Sequence, residues 1–339
     1  MTKPALGQTG SAGILECERL GLKDFEGIAA EYDAAVARDL EVDPFCTRSA
    51  WIVSYHRAFA PDRRVDVVRS GDSYVVLAER EIERLGIGSE PLESMWGFAS
   101  PLVGPDAVTL LCERPMAPLI LLGIPMHGER MRALAHALTR THDLRPFDVV
   151  PRFVASLDGG VDGFLSRRSE SFRRNLRASM RRAASQGIVF ERLAPESADQ
   201  AKAFYARASD VESRSWKAES TAPVHSGPMY RFYAEMLPRL AEQRSLRALV
   251  ARRDGQDLGY LYGGLIEGHF RGLQFSYDVR ERQVGVGNCL QFEMIRWLSE
   301  QGALRYDLGS RSAYKRSWSE AGPVSLSILA LPLRHPVAP

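Results

Sequence analysis

Helix and strand patterns follow the same order in both halves of this sequence. In the first half, apolar residues at helical spacing (AWIVSYHRAF, 50–59) precede a hairpin pattern around Ser70-Gly71-Asp72. A helix pattern at 128–140 follows, and then a strand pattern at 147–157 that we expect Pro151 to interrupt. This alternation predicts an α/β fold with a mixed sheet.

The second half repeats that order without repeating the residues themselves. A helix pattern at 197–216 precedes three strand patterns between residues 247 and 278. Two turn signals, Asp254-Gly255 and Glu267-Gly268, separate these strands. A helix pattern at 288–302 and a strand pattern at 303–309 complete the half. We therefore predict two α/β domains of one architecture.

The composition is consistent with two ordinary globular domains. The chain has 339 residues, of which 45% are hydrophobic and 25% are charged. A net charge of +2 argues against a general nucleic-acid-binding protein, which usually carries a strong basic excess. The predicted organisation is a flexible tail (1–14), an N-terminal domain (15–160) and a C-terminal domain (161–339).

The cysteines and the apolar segments indicate a cytoplasmic protein. Four scattered cysteines, without a C-x-x-C motif or clustered histidines, predict reduced thiols and no metal site. The N-terminus lacks the apolar core of a signal peptide. The longest apolar run, at 117–126, is too short to span a membrane, so we expect a soluble protein without a membrane span.

The segment RQVGVGN (282–288) lies between a strand pattern and a helix pattern. Its amides would face outward at the positive end of the helix dipole, and its glycines would let a phosphate approach the backbone closely. The first turn of that helix contains no Asp or Glu, which leaves room for an external anion. A plain tight turn is the alternative explanation. The segment is neither a Walker A motif nor a complete Rossmann fingerprint.

The order strand, R-x-x-G-x-G, helix, strand resembles the acyl-CoA core of the GNAT acyltransferase superfamily. Further segments resemble its cellulose-biosynthesis-type, Fem-like subgroup, whose members have two GNAT-like halves. The resemblance covers about residues 160–320 clearly and 45–155 faintly. The segments that carry it are SFRRNLRASMRRAASQG (171–187), ESRSWKAES (212–220), FSYD (275–278), YDLGS (306–310) and AYKRSW (313–318).

The resemblance implies an acyl-CoA site in the C-terminal domain alone, because only that half has the glycine loop. The loop amides would hold the pyrophosphate of coenzyme A, and the preceding strand would splay to hold the pantetheine. The donor-binding residues implied are Phe275, Ser276, Tyr277, Arg282, Val284, Gly285, Val286, Gly287 and Asn288.

Acyl transfer to an amine needs a base for the amine and an acid for the departing thiolate. Tyr314 follows the last strand, where GNAT enzymes often carry the acid, and a thiolate needs only a weak acid. Asp278 ends the strand before the loop and could accept the proton of the amine. A core tyrosine and a turn-initiating aspartate are the structural alternatives. Cys289 flanks the loop, but no histidine lies near it in the sequence to support a covalent acyl-enzyme.

Four further residues are candidates for substrate binding. Trp216 and Lys217 match the W-K position of the subgroup and could line the acceptor pocket. Lys315 and Arg316 could hold an acidic acceptor or the phosphates of the donor. Packing of the tryptophan on the core and solvation of the charges are the alternatives.

The segment Arg167–Arg182 contains seven arginines and a single glutamate. This basic helix is either a solvated face or a docking site for a polyanion, such as an acyl carrier protein, the 3′-phosphate of coenzyme A, or tRNA. Three functions therefore stay open: a CoA-dependent N-acyltransferase acting on a small molecule, amino sugar or peptide, a Fem-like transferase using aminoacyl-tRNA, and a non-catalytic GNAT-like binding module.

Overall fold

The computed structural model describes residues 16–215, 225–310 and 312–333. In these ranges the chain forms one 13-stranded mixed sheet with helices on both faces. The strands are β1 (Glu18–Leu20), β2 (Val65–Ser70), β3 (Ser73–Ile82), β4 (Gly86–Pro91), β5 (Leu102–Val103), β6 (Leu119–Pro125), β7 (His142–Ser156), β8 (Val189–Leu193), β9 (Leu246–Arg253), β10 (Gln256–Ile266), β11 (His269–Tyr277), β12 (Arg305–Ser310) and β13 (Glu320–Pro332).

The helices lie between these strands and contribute most of the side chains that cover the sheet. They are α1 (Leu22–Gly27), α2 (Ala29–Arg38), α3 (Ser49–Phe59), α4 (Ala107–Cys112), α5 (Glu129–Leu138), α6 (Gly160–Ser166), α7 (Glu170–Ser185), α8 (Ala198–Ser213), α9 (Gly227–Glu242) and α10 (Val286–Glu300). Two short 3₁₀ turns, Val279–Glu281 and Tyr314–Ser317, flank the last part of the sheet.

The two halves of the chain exchange strands at the centre of the sheet. The strand order is β1-β2-β3-β4-β6-β13-β7-β12-β11-β10-β9-β8, and β5 pairs with β3 beside this path. The last strand, β13, lies between β6 and β7 of the first half and pairs antiparallel with both. In turn β7 pairs antiparallel with β12 of the second half. Each half therefore completes its sheet with a strand from the other.

Three apolar clusters fix the helices on the two faces. Helices α1, α2 and α3 share one cluster with α8 and α9, so the halves are also joined through a common core. On the opposite face, α6, α7 and α10 pack on the second half, while α4 and α5 pack on the first. Alternate residues of one strand enter different clusters, as Val250 and Leu249 of β9 do, because side chains in a strand point to opposite faces.

The structure confirms the mixed α/β class and most of the elements predicted from patterns. The four helix patterns correspond to α3, α5, α8 and α10, and the hairpin at 70–72 joins β2 and β3. The three strand patterns before residue 278 form the antiparallel meander β9-β10-β11. The predicted interruption at Pro151 was wrong: β7 continues through it, and Pro151 faces Val324 where the pairing with β13 shifts register. A proline without an N–H is accommodated at such an irregularity.

Candidate active site

Strands β11 and β12 run parallel for only three residue pairs and then separate. The pairs are His269 with Arg305, Phe270 with Tyr306 and Arg271 with Asp307. Beyond them β11 continues to Tyr277, still paired with β10 on its other edge. The edge of β11 that faces β12 therefore offers unpaired backbone N–H and C=O groups along a V-shaped opening.

A cleft of about 950 Å³ occupies this opening. Its walls come from β11, from the loop before α10, from the first turns of α10 and from the segment after β12. Residues named from the sequence that line it are Phe275, Tyr277, Arg282, Gly285, Gly287, Asn288, Tyr314 and Lys315. The structure thus brings eight separately predicted residues to one cleft.

The glycine loop positions the N-terminus of α10 at the cleft. Gly285 is the N-cap residue and has φ +84°, a left-handed conformation that favours glycine. A Cβ on Gly287 would lie 2.8 Å from Cε1 of Tyr277, so the loop and β11 approach more closely than a side chain permits. The amides of Val286 and Gly287 have no intrahelical partner in such a first turn, which also lacks acidic residues. This geometry suits an anion.

The basic helix α7 adjoins the same loop. A Cβ on Gly285 would lie 2.7 Å from Oγ of Ser179 and 3.7 Å from Nη2 of Arg182. Arg182 donates to Ser179 at 3.1 Å, which holds its guanidinium beside the loop. The last turn of α7 therefore adds positive charge at the end of the cleft where the helix amides lie.

Tyr314 begins the 3₁₀ turn after β12 and faces Phe275 across the cleft, with ring centroids 5.7 Å apart. The side chain is 43% exposed. Desolvation raises the pKa of Tyr314 to about 12, so the hydroxyl stays protonated at neutral pH and can donate a proton or a hydrogen bond.

The other basic candidates have different surroundings. Lys315 lines the cleft, and its Nζ donates to the carbonyl of Ser310 at 3.0 Å. Arg316 is exposed on the 3₁₀ turn and does not line the cleft. Trp216 and Lys217 lie outside the described residues.

Asp278 has a structural environment. Its carboxylate is buried, accepts from the guanidinium of Arg280 at 2.6 Å and from Nε of Arg214 at 3.3 Å, and caps the 3₁₀ turn through the amide of Arg280. These hydrogen bonds, those from Arg280 first, lower the pKa of Asp278 to about 2. Asp278 does not line the cleft, and a carboxylate of such low basicity is a poor proton acceptor.

Four further residues do not present their side chains to the cleft. Val284 and Val286 are buried in the cluster beneath α10, so only their backbone could contact a ligand. Ser276 is fully buried, in register with Tyr260 rather than facing the opening. Cys289 is buried, and desolvation raises the pKa of its thiol to about 11, which opposes nucleophilic attack.

Sequence reasoning missed several cleft residues because long-range pairing brings them there. Gln291 lies one turn into α10, and its Oε1 accepts from the hydroxyl of Tyr306 at 2.6 Å. Gln274 lines the cleft and donates to the hydroxyl of Tyr233 at 2.9 Å. The pairing shifts register between Tyr262 and Gly263 of β10, which face Gln274 and Gly272, so Leu273 is an extra residue in β11 and turns this part of the strand. No local motif indicates a bulge of this kind.

The corresponding region of the first half is closed. Strands β4 and β6 share a single parallel pair, Ser89 with Leu119, but the segment that follows β4 is packed inward. There the buried carboxylate of Glu93 accepts from the amides of Trp96 and Phe98. The helix that follows, α4, has only six residues and no glycine loop before it of the kind that precedes α10. Among the residues that the structure describes, the second half alone combines a V-shaped opening with a long helix N-terminus.

A second cleft, of about 1010 Å³, lies between the halves. A chain of ion pairs crosses its floor: Arg271 to Asp307 at 2.7 Å, Asp307 to Arg152 at 3.2 Å, and Arg152 to Asp43. Among the residues described, no group of three His, Cys, Asp or Glu could hold a metal ion. In the same ranges no helix is long and apolar enough to cross a membrane.

Residues 170–316 match the family model described as an acetyltransferase (GNAT) domain. This range contains the V-shaped opening, the glycine loop and Tyr314. This range therefore contains a GNAT acyltransferase domain. The domain lies in the second half of the chain. No curated protein sequence matches the chain significantly.

Several solved structures are similar to this chain in fold over nearly its whole length. FemX, with 10% identity and a TM-score of 0.64, is matched over 93% of this chain and 97% of its own. A conserved protein of unknown function from Bacteroides thetaiotaomicron has 13% identity, a TM-score of 0.59 and coverage of 94% and 100%. L-PGS from Bacillus licheniformis has 13% identity, a TM-score of 0.54 and coverage of 90% and 92%. At such identities the likeness concerns the fold alone, and it agrees with a Fem-like arrangement.

The ion pairs of Asp278 predict that its contribution to the stability of the protein depends on pH. Asp278→Asn should lower the melting temperature at neutral pH, because it leaves Arg214 and Arg280 without their carboxylate. The folded-state pKa lies below the unfolded value of about 3.9, so this contribution is present above that value and is lost as pH falls towards about 2. The difference in melting temperature between wild type and variant should therefore shrink between about pH 4 and pH 2.

Thermal unfolding followed by fluorescence measures this difference, with the exposed Asp62→Asn as the control variant. A difference that stays constant over this range would contradict the ion pairs around Asp278.

Proposed function

We propose that this protein is an N-acyltransferase that moves an acetyl or other short acyl group from acyl-CoA to an amine of a small molecule, amino sugar or peptide. The observation that carries the proposal is the glycine loop at the N-terminus of α10, which opens onto the cleft between β11 and β12. The donor site then lies in the predicted C-terminal domain (161–339), and the predicted cytoplasmic location fits an acyl-CoA donor.

The loop and the edge of β11 would bind different parts of the donor. The amides of the first turn of α10, with Arg282 and Arg182 nearby, would hold the pyrophosphate. The unpaired edge of β11 beyond Arg271 would bind the amide groups of the pantetheine arm, as an added strand does. The acyl thioester would then lie within the V, beside Tyr314 and Phe275.

Transfer requires a tetrahedral intermediate in which the bond from carbon to nitrogen has formed and the bond from carbon to sulfur then breaks. The hydroxyl of Tyr314 is protonated at neutral pH and half-exposed in the cleft, and we assign to it the proton that the leaving thiolate takes up. The tyrosinate is restored from solvent or from the nitrogen of the product. Which group accepts the proton of the attacking amine is a separate question. The surroundings of Asp278 oppose the role of proton acceptor that the sequence suggested for it.

The glycine loop is tested by binding of the donor. Acetyl-CoA should raise the melting temperature of the wild type, because a ligand that binds only the folded state stabilises it. Gly285→Ala and Gly287→Ala should remove this shift, since the first strains a φ of +84° and the second brings a Cβ against Tyr277.

Gly302→Ala is the matched control, because Gly302 has φ +72° at the other end of α10 and open space around it. It should lower the melting temperature of the free protein but keep the shift with acetyl-CoA. Equal shifts in all three variants would exclude the loop as the donor site.

Tyr314 is tested by turnover with an amine found by screening. Tyr314→Phe should lower kcat by about 10²- to 10⁴-fold, the usual contribution of a positioned acid, and leave the affinity for acetyl-CoA unchanged. Release of the CoA thiol measures turnover, and calorimetry measures the affinity. Full turnover in this variant would mean that the thiolate takes its proton from water.

A second candidate function is aminoacyl or acyl transfer from a polyanionic carrier, such as aminoacyl-tRNA or an acyl carrier protein. The exposed face of α7 favours it, because this face leads directly to the glycine loop. Three of the seven arginines have structural partners instead: Arg167 binds the carbonyls of Ser156 and Asp158, Arg168 pairs with Glu320, and Arg173 binds the carbonyls of Leu165 and Arg168. The arginines exposed to a partner are Arg174, Arg177, Arg181 and Arg182.

Charge reversal of Arg174, Arg177 and Arg181 to Glu separates the two candidates. If a carrier docks on α7, the triple variant should lose binding to tRNA or carrier protein while keeping its affinity for acetyl-CoA. Wild-type binding to the carrier should also weaken steeply with salt. Reversal of the exposed Arg84, Arg132 and Arg140 gives the same change in net charge on other elements and is the control. Identical behaviour of both triple variants would leave α7 as a solvated face.

A further inference from the structure

The second cleft, between the two halves, lies behind the donor cleft where β11 and β12 separate. Residues of β7, β11, β12 and β13 form its floor, and residues between 36 and 45 form one wall. Asp307 lines this cleft, whereas its neighbours Tyr306 and Leu308 line the donor cleft. Because side chains alternate along a strand, the two clefts open on opposite faces of the sheet.

Two carboxylates and two guanidinium groups meet at the centre of the second cleft. The carboxylate of Asp307 accepts from Nη1 of Arg271 and from the amide of Gly309, both at 2.7 Å. Its other oxygen lies 3.2 Å from Nη1 of Arg152, which also donates to Asp43. Asp43 accepts in addition from two backbone amides of the turn that follows it. Both carboxylates are therefore fully occupied.

The other four carboxylates that line the second cleft also have partners among the described residues. They are Asp39, which pairs with Arg130, Glu41, which accepts from the amides of Glu129 and Arg130, Glu267, which pairs with Arg48, and Glu320, which pairs with Arg168. Arg305 lines the same cleft, is exposed and forms no ion pair within the described ranges. The acidic groups are thus occupied, while a positive charge is left over.

The guanidinium groups of Arg152 and Arg271 have more donors than the chain uses. A guanidinium carries five N–H groups. In the described part of the chain, Nη1 donates the hydrogen bonds of both groups, and their Nε and Nη2 atoms donate none. Yet the two side chains are only 10% and 8% exposed, and Nε of Arg271 is buried. Unpaired donors on buried charged groups cost free energy and are rare, so their presence in a cleft indicates a ligand that pairs them.

The two guanidinium groups lie close enough together to bind one anion. Both contact the carboxylate of Asp307, and both lie against the ring of Phe98. The centroid of that ring is 5.4 Å from Cζ of Arg152 and 4.5 Å from Cζ of Arg271. Phe98 and Phe45 line the cleft themselves, so apolar surface adjoins the arginines. Low local polarity strengthens a hydrogen bond to a charged group.

We propose that the second cleft binds the carboxylate group of a small molecule at Arg152 and Arg271. This inference goes beyond the proposed function and does not rest on it. A carboxylate only accepts hydrogen bonds, and its two oxygens match the forked N–H groups of a guanidinium. A phosphate dianion suits the site less well, because Asp43 and Asp307 repel its second charge. Since the two clefts open on opposite faces of the sheet, this ligand and coenzyme A can be bound together.

Matched fluorinated probes test this site on the full-length protein. Titrations followed by fluorine NMR, at neutral pH and constant ionic strength, would compare para-fluorobenzoate with para-fluorobenzamide. The benzoate should bind about 10- to 100-fold more tightly, the difference expected for hydrogen bonds to a charged group. The dianion para-fluorophenyl phosphate should bind more weakly than the benzoate. Saturating coenzyme A should leave the affinity for the benzoate unchanged.

Replacement of Arg152 by lysine tests the forked donors separately from the charge. Arg152→Lys keeps a positive charge beside Asp43 and Asp307 but lacks the fork, so it should bind para-fluorobenzoate about 10-fold more weakly. Arg130→Lys is the matched control, because Arg130 is a buried arginine that pairs with Asp39 at 2.7 Å and does not line the cleft. This control should keep the wild-type affinity.

A second variant avoids the buried ion pairs altogether. Arg305 is exposed, so Arg305→Gln should fold normally and bind para-fluorobenzoate several-fold more weakly, because one positive charge is lost from the cleft. Arg132→Gln removes an exposed arginine of α5 and should bind the benzoate as the wild type does.

Equal binding of the benzoate and the benzamide, or tighter binding of the phosphate, would overturn the proposal. Displacement of the benzoate by coenzyme A would also overturn it, because the benzoate would then occupy the donor cleft. Undiminished affinity in both Arg152→Lys and Arg305→Gln would exclude the second cleft as the site. Failure of coenzyme A to bind would contradict the donor site alone, since the titrations without coenzyme A decide the second cleft.

Discussion

Strands β11 and β12 stop pairing at one defined place, and the candidate active site depends on that separation. The last pair is Arg271 with Asp307, whose side chains form an ion pair at 2.7 Å. Asp307 also accepts from the amide of Gly309 at 2.7 Å and pairs with Arg152 of β7. These contacts hold β12 to the centre of the sheet while β11 follows β10, so the V opens immediately beyond them. A buried network of this kind fixes geometry more than it adds stability.

Because the two halves exchange strands, both contribute to the structure that surrounds the site. Because β13 lies between β6 and β7, and β7 lies between β13 and β12, neither half contains its complete sheet. Helices α3 and α9 also pack within one apolar cluster, which takes side chains from both halves. The first half, whose own opening is closed, thus contributes a strand and a core to the half that has the glycine loop.

The elements that could be predicted from the sequence are those with strong local signals. Spacing of apolar residues located α3, α8 and α10, and the glycines located the loop, because these features depend on neighbours along the chain. Pairings between distant segments could not be read in this way. The placement of β13 in the sheet of the first half depends on such pairings, as does the meeting of Glu212 with Tyr260. The salt bridges of Asp278 were also hidden, since an aspartate at a strand end is compatible with catalysis or with capping.

We propose that the opening between β11 and β12 binds the donor and that the first half does not. Hydrogen–deuterium exchange with and without coenzyme A tests this directly, because it reports on each peptide of the chain separately. Exchange should slow in residues 272–277 and 283–291 and stay unchanged at 86–125. Protection at 86–125, or saturating coenzyme A without protection of the loop before α10, would contradict it.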